Sequence, residues 1–172
     1  MNINEASEYL LQEIKEPHNG LPQEVFDLVA SIVPMVNIDL LVQNKDGAVL
    51  LAWRDDGKNL GWHIPGGIIR FKEKFEERIQ KTALSELGTE VSFDINPLKI
   101  SEIFMPYQHR GHFISFLYKC YLPEDFVINN KSKGEDENGY LKWHNHMPNN
   151  LVQGQKCYEE FLHDIFINEG LS

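Results

Sequence analysis

A Pro65-Gly66-Gly67 turn, Glu73 six positions after Gly67, and Glu86 just ahead of Gly88 form the part of the chain with the strongest chemical potential. Gly88 reads as a helix stop, so the spacing predicts a helix over residues 74–87. At roughly 100° per residue, Phe75, Ile79, Ala83 and Leu87 share one apolar arc, and Glu86 falls inside it, beside Phe75. Burying a carboxylate without a partner is expensive. Glu86 is therefore expected to be paired with a basic group, protonated, or bound to a metal. Two other residues break apolar segments: Asp39 follows Ile38 within residues 36–43, and Arg54 closes residues 48–54.

The elements that position these groups follow from periodicity. Residues 3–14 carry Ala6, Tyr9, Leu10 and Ile14 on one side of an amphipathic helix, with Asn2 or Asn4 as its cap. Pro17, Asn19 and Gly20 then break the chain, Pro22 opens a second helix, and Pro34 ends it. Residues 36–43 and 48–54 flank Asn44-Lys45-Asp46-Gly47, which predicts a tight hairpin between them. Residues 91–93 resume strand character, residues 98–104 and 112–122 form a second antiparallel pair, and residues 140–144 add a short strand. A C-terminal helix over residues 155–167 presents Cys157, Phe161, Leu162 and Ile165 on one side. The expected fold class is a mixed α/β (α+β) sandwich with mostly antiparallel strands, a helical extension over residues 1–20 and a single domain over 21–172.

Composition narrows the partners. The 172-residue chain carries 16 Lys plus Arg against 26 Asp plus Glu, a formal net charge of -10. That balance disfavours nucleic acid and anionic membrane surfaces, while a small anion can still be held where cations are concentrated. Cys120 and Cys157 lack metal-binding spacing and read as free thiols of a reducing compartment. With no targeting or spanning segment in the sequence, a cytoplasmic protein is expected.

The spacing Gly67, Glu73, Lys81, Glu86, Gly88 resembles the Nudix box, with Lys81 in place of the box arginine and Thr82 and Ser85 in place of two of its three helix glutamates. This reduced box is similar to that of the GDP-mannose mannosyl hydrolases, and the segments VNIDLLVQNKDG, VLLAWR, GWHIPGG and SELG extend the likeness over about residues 21–143. The resemblance implies a Nudix fold and hydrolysis of a nucleoside diphosphate sugar such as GDP-mannose with one Mg²⁺ or Mn²⁺. Its metal ligands would be the Gly66 carbonyl, Glu86 and Glu137. Arg54 would meet the diphosphate, Lys81 and Phe26 would contribute to substrate binding, and Asp39 would act near the sugar or the attacking water.

Two departures from the family pattern are informative. Asn138 stands at the position of the family's general-base histidine and cannot take a proton from water at neutral pH; His109, His112, His144 and His146 are the nearby replacements. Val25-Phe26 stands where the family has an acidic residue before the phenylalanine that helps recognise the base. Cleavage inside the diphosphate and a non-catalytic nucleotide-sugar binder are the alternative readings. A homodimer is expected from the extra N-terminal helix and from the family's completion of the base pocket across an interface.

Overall fold

In the computed structural model, residues 2–57, 59–105 and 110–168 are described. The elements run α1 (Ile3–Glu13), α2 (Gln23–Ile32), β1 (Met35–Val42), β2 (Val49–Asp55), β3 (Leu60–His63), β4 (Gly66–Ile68), α3 (Phe75–Thr82), β5 (Ser92–Phe93), β6 (Lys99–Phe104), β7 (His112–Tyr121), β8 (Leu141–His144) and α4 (Glu159–Asn168). A π-turn over Ala83–Leu87 continues α3, and a 3₁₀ turn over Gln153–Tyr158 leads into α4. A five-stranded sheet has the order β4-β1-β7-β5 with β6 also on β7; a three-stranded sheet has the order β3-β2-β8. Apart from the parallel β1–β7 pair, the strands pair antiparallel, giving the expected mixed sandwich.

The predicted hairpin forms its turn but not its ladder. The Asn44 N–H donates to the Ala48 carbonyl and Gly47 supplies a φ of 78°, yet beyond a bridge between Gln43 and Val49 the two strands part into different sheets. Burial explains this. Residues 38–42 and 49–53 are buried on both faces, which a two-stranded ribbon cannot provide. Each strand therefore becomes the interior of its own sheet. Ile38, Leu40 and Val42 point to Ile79, Ala83 and Leu87 of the α3 segment, while Leu41 points to Tyr158 and Leu162 on the other side.

Two further expectations are corrected. The Pro65-Gly66-Gly67 segment is not a free turn: β4 pairs with β1 through Asp39–Gly66 and Ile38–Gly67, and the Pro65 carbonyl accepts from the Leu40 N–H at 2.8 Å. Nor does Glu86 sit in the apolar arc beside Phe75. The Gly88 N–H reaches back five residues to the Ala83 carbonyl, and this π-turn rotates Glu86 off the core face that a regular helix would have given it. Phe75 packs instead against Phe116 and Tyr118. At the N-terminus, a capping box between Asn2 and Glu5 starts α1, which buries none of its residues.

Candidate active site

Strand β3 lies antiparallel to β2, and this brings His63 to the side of Arg54. Arg54 Nη2 stands 3.0 Å from His63 Nε2, and Glu86 Oε2 stands 3.6 Å from the same nitrogen. A guanidinium can only donate and a carboxylate can only accept, so Arg54 and Glu86 compete for His63 Nε2, while His63 Nδ1 is buried with no hydrogen-bond partner among the described residues. Burial opposes the charge on Glu86, but His63, Arg54 and Lys133 outweigh it and hold the carboxyl below the usual glutamate range. Glu86 is thus ionised at neutral pH. Its contact with His63 is too long for a full hydrogen bond, so its lone pairs stay available to a ligand.

Glu73 does different work. Its side chain is sealed, with bonds to Arg78 Nε and Nη2 at 2.8 Å each, to Lys81 Nζ at 2.9 Å and to the Arg70 N–H at 2.9 Å. These bonds tie the loop after β4 to the first two turns of α3. Lys81 is spent on that ion pair and does not line the cleft described below.

Asp39 lies beneath Gly66, only 1% exposed. It accepts from Asn37 Nδ2 at 2.8 Å, Ser115 Oγ at 2.5 Å, Tyr158 Oη at 2.8 Å and, at 3.5 Å, Gln155 Nε2. Burial raises its pKa and these donors oppose the rise. A Cβ at Gly66 would collide with the Asp39 carboxylate, and one at Gly67 would stand 2.6 Å from Thr82 Oγ1, so both glycines are dictated by close approach. Asp39 knits β1, β7 and the 3₁₀ turn together under the site rather than projecting into it.

The loop before β8 supplies the other candidates. Asn138 Oδ1 accepts from the Asp55 N–H at 3.2 Å, which fixes this loop beside Arg54. Glu137 is exposed and its carboxylate accepts from the Gly134 N–H. Among the histidines, His112 pairs with Glu102, and His146 is exposed. His144 packs on Trp62, and burial together with Lys142 pushes its pKa down to about 4. His109 lies outside the described residues. The histidine at the site is His63, which sequence reading passed over because it sits unremarked between two core residues, Trp62 and Ile64.

A cleft of about 490 Å³ opens beside these groups. Asn37 and Gly66 line it from the sheet, Thr82 and Ser85 from the α3 segment, and Phe26 from α2. The chain has four arginines, Arg54, Arg70, Arg78 and Arg110, and all four line this cleft. No lysine among the described residues does. In a chain of net charge -10, this is a local concentration of planar, always-charged donors suited to phosphate oxygens. Thr82 and Ser85 face the cleft as neutral groups where the box pattern would place carboxylates. No cluster of three or more His, Cys, Asp or Glu able to hold a metal occurs among the described residues. Glu86 is the box-helix carboxylate beside this cleft that could hold a hard cation completed by water and ligand oxygens.

A profile of the NUDIX domain matches residues 33–164, and the chain belongs to the Nudix family. Members act on small nucleotide substrates by hydrolysis, generally with a divalent cation. The fold is similar to that of a MutT Nudix hydrolase from Burkholderia pseudomallei, with a TM-score of 0.57 and 18% identity over 74% of this chain and 97% of that one. It is also similar to a UDP-X diphosphatase, with a TM-score of 0.56 and 18% identity over 95% of this chain and 80% of that one. The low-salt glycan biosynthesis protein Agl8 of Haloferax volcanii is 29% identical over 80 residues, which are 46% of this chain and 51% of Agl8. The chain therefore spans about half the length of this curated relative. No helix among the described residues is long and apolar enough to cross a membrane.

Proposed function

We propose that this chain hydrolyses a nucleoside diphosphate sugar, such as GDP-mannose, to free sugar and nucleoside diphosphate with a single Mg²⁺ or Mn²⁺. The observation that carries this reading is the convergence of all four arginines on one cleft, with the ionised Glu86 behind Arg54 at its edge. Arg54 and its neighbours would bind the diphosphate through charge-assisted hydrogen bonds and stabilise it as a leaving group. Glu86 and the Gly66 carbonyl would hold the cation, with Glu137 reaching it only if its carboxylate leaves the Gly134 N–H. When bound, that cation neutralises charge developing on the diphosphate. His63 would fix the Arg54 fork, and Asp39 would keep the cleft floor in register from beneath.

Attack at the sugar carbon is favoured over attack at phosphorus because Thr82 and Ser85 remove the carboxylates that would gather further cations. The naming of Agl8 as a low-salt glycan biosynthesis protein agrees with a sugar-bearing substrate. Cleavage within the diphosphate is the second reading, favoured by family membership. A screen of nucleotide sugars with product identification, run beside calorimetric titrations, tests the proposal. Free sugar and nucleoside diphosphate are expected; binding without turnover would make the protein a sensor instead.

Assembly is part of the same proposal. Residues 21–172 would form the domain, and α1 would be an extension whose Ile3, Tyr9 and Leu11 are 82%, 57% and 75% exposed and await a second copy. Light scattering at micromolar concentration should give twice the 19.9 kDa chain mass. A mass of one chain would contradict it. The free thiols Cys120 and Cys157 suit a cytoplasmic setting.

A further inference from the structure

The cleft crosses the five-stranded sheet from β4, over β1 and β7, to β6, a span of three strand spacings or about 14 Å. Its two ends differ in chemistry. Arg54, Arg70, Arg78, Gly66 and Gly67 gather at the β4 end. Toward the β6–β7 end the lining includes Ile103, paired to Phe113, with Met105 and, against Arg110, Phe26. Arg110 is the cation there. Its guanidinium carbon lies 4.6 Å from the centre of the Phe26 ring, and its Nε is buried with no hydrogen-bond partner. Among the described residues, the side chain makes no ion pair.

We infer that Arg110 is a specificity-determining residue that reads a carbonyl acceptor on the nucleobase, and that Phe26 positions it rather than stacking on the base itself. This rests on the proposed nucleoside diphosphate substrate. A buried donor without a partner discriminates strongly, because a ligand that fails to supply an acceptor leaves it unpaired. The face of Phe26 is already taken by the guanidinium, and that contact sets the plane in which the N–H groups point. A planar fork matches an acceptor edge such as the O6 and N7 of guanine, or the O4 of uracil. Adenine and cytosine carry an amino donor at the equivalent place, which would meet the guanidinium donor to donor. Arg54 and Arg70, with the Arg78 nitrogen not bonded to Glu73, would supply the diphosphate contacts, so Arg110 is not needed for charge neutralisation there.

Calorimetric titration with inorganic pyrophosphate, GDP, UDP, ADP and CDP, in the presence of Mg²⁺, tests this on the full chain. The native protein should bind GDP or UDP at least about tenfold more tightly than ADP and CDP. Arg110→Gln should erase that preference while leaving pyrophosphate affinity and melting temperature unchanged. Arg110→Lys, which keeps a charge but not the fork, should restore little of the preference. Equal loss of affinity for pyrophosphate and nucleotides would make Arg110 a phosphate ligand and overturn the inference, as would an unaltered preference in Arg110→Gln. If the native chain binds pyrophosphate but no nucleoside diphosphate better, the substrate proposal itself fails. If it binds a nucleotide well but without base preference, only the role of Arg110 fails.

Discussion

Glu86→Gln should lower turnover by about 10²–10³-fold, equivalent to roughly 3–4 kcal/mol of lost transition-state stabilisation. The substitution keeps the shape of the side chain and removes the carboxylate at the last glutamate position of the box, which makes no contact shorter than 3.6 Å to His63. Glu73, the other box glutamate, is sealed in bonds to Arg78, Lys81 and the Arg70 N–H, so it cannot substitute. The fold should survive, because the Glu86 side chain is 25% exposed and contacts His63 only at 3.6 Å. Steady-state assays with a titration of Mg²⁺ check this, together with circular dichroism. Unchanged turnover, or turnover that persists in chelator, would remove Glu86 from the chemistry.

Asp39→Ala should act on stability first. It leaves the Asn37, Ser115, Gln155 and Tyr158 donors facing a void beneath Gly66, a loss of about 3–4 kcal/mol, which lowers the melting temperature by roughly 10 °C. The pH dependence has a definite sign. Burial raises the Asp39 pKa in the folded state, so its contribution is fully present below the unfolded value and is lost as pH rises through the raised one. Asp39→Asn, which carries no charge at any pH, should flatten that part of the stability curve. Urea melts across the acid-to-neutral range measure both effects. A variant with native stability and abolished turnover would instead make Asp39 a catalytic residue.

The local part of this architecture was legible in the sequence, and the non-local part was not. The box spacing located the glycine segment, the helix and Glu86, because turn chemistry and helical periodicity are written in neighbouring residues. The π-turn over Ala83–Leu87 has no such local mark, so a regular helix placed Glu86 on the wrong face. The Asp39 anomaly was visible as an acid in an apolar strand. Its meaning depended on Ser115 and Tyr158, 76 and 119 residues away. The hairpin expectation failed for a related reason: Asp-Gly specifies the turn, but only burial on both faces decides that β1 and β2 join separate sheets. The site cations were the largest omission. Arg70, Arg78 and Arg110 come from separate elements, and the one signal available was that the chain uses arginine four times and all else is lysine. Arginine used so sparingly beside many lysines is worth reading as a bidentate anion fork.

Water labelled with ¹⁸O tests most directly whether the lone box carboxylate marks attack at the sugar. Hydrolysis of a nucleotide sugar in labelled water should place the label on the anomeric carbon of the free sugar and none on the nucleoside diphosphate. Label recovered on a phosphate, with nucleoside monophosphate released, would contradict the account and assign the chain to cleavage within the diphosphate.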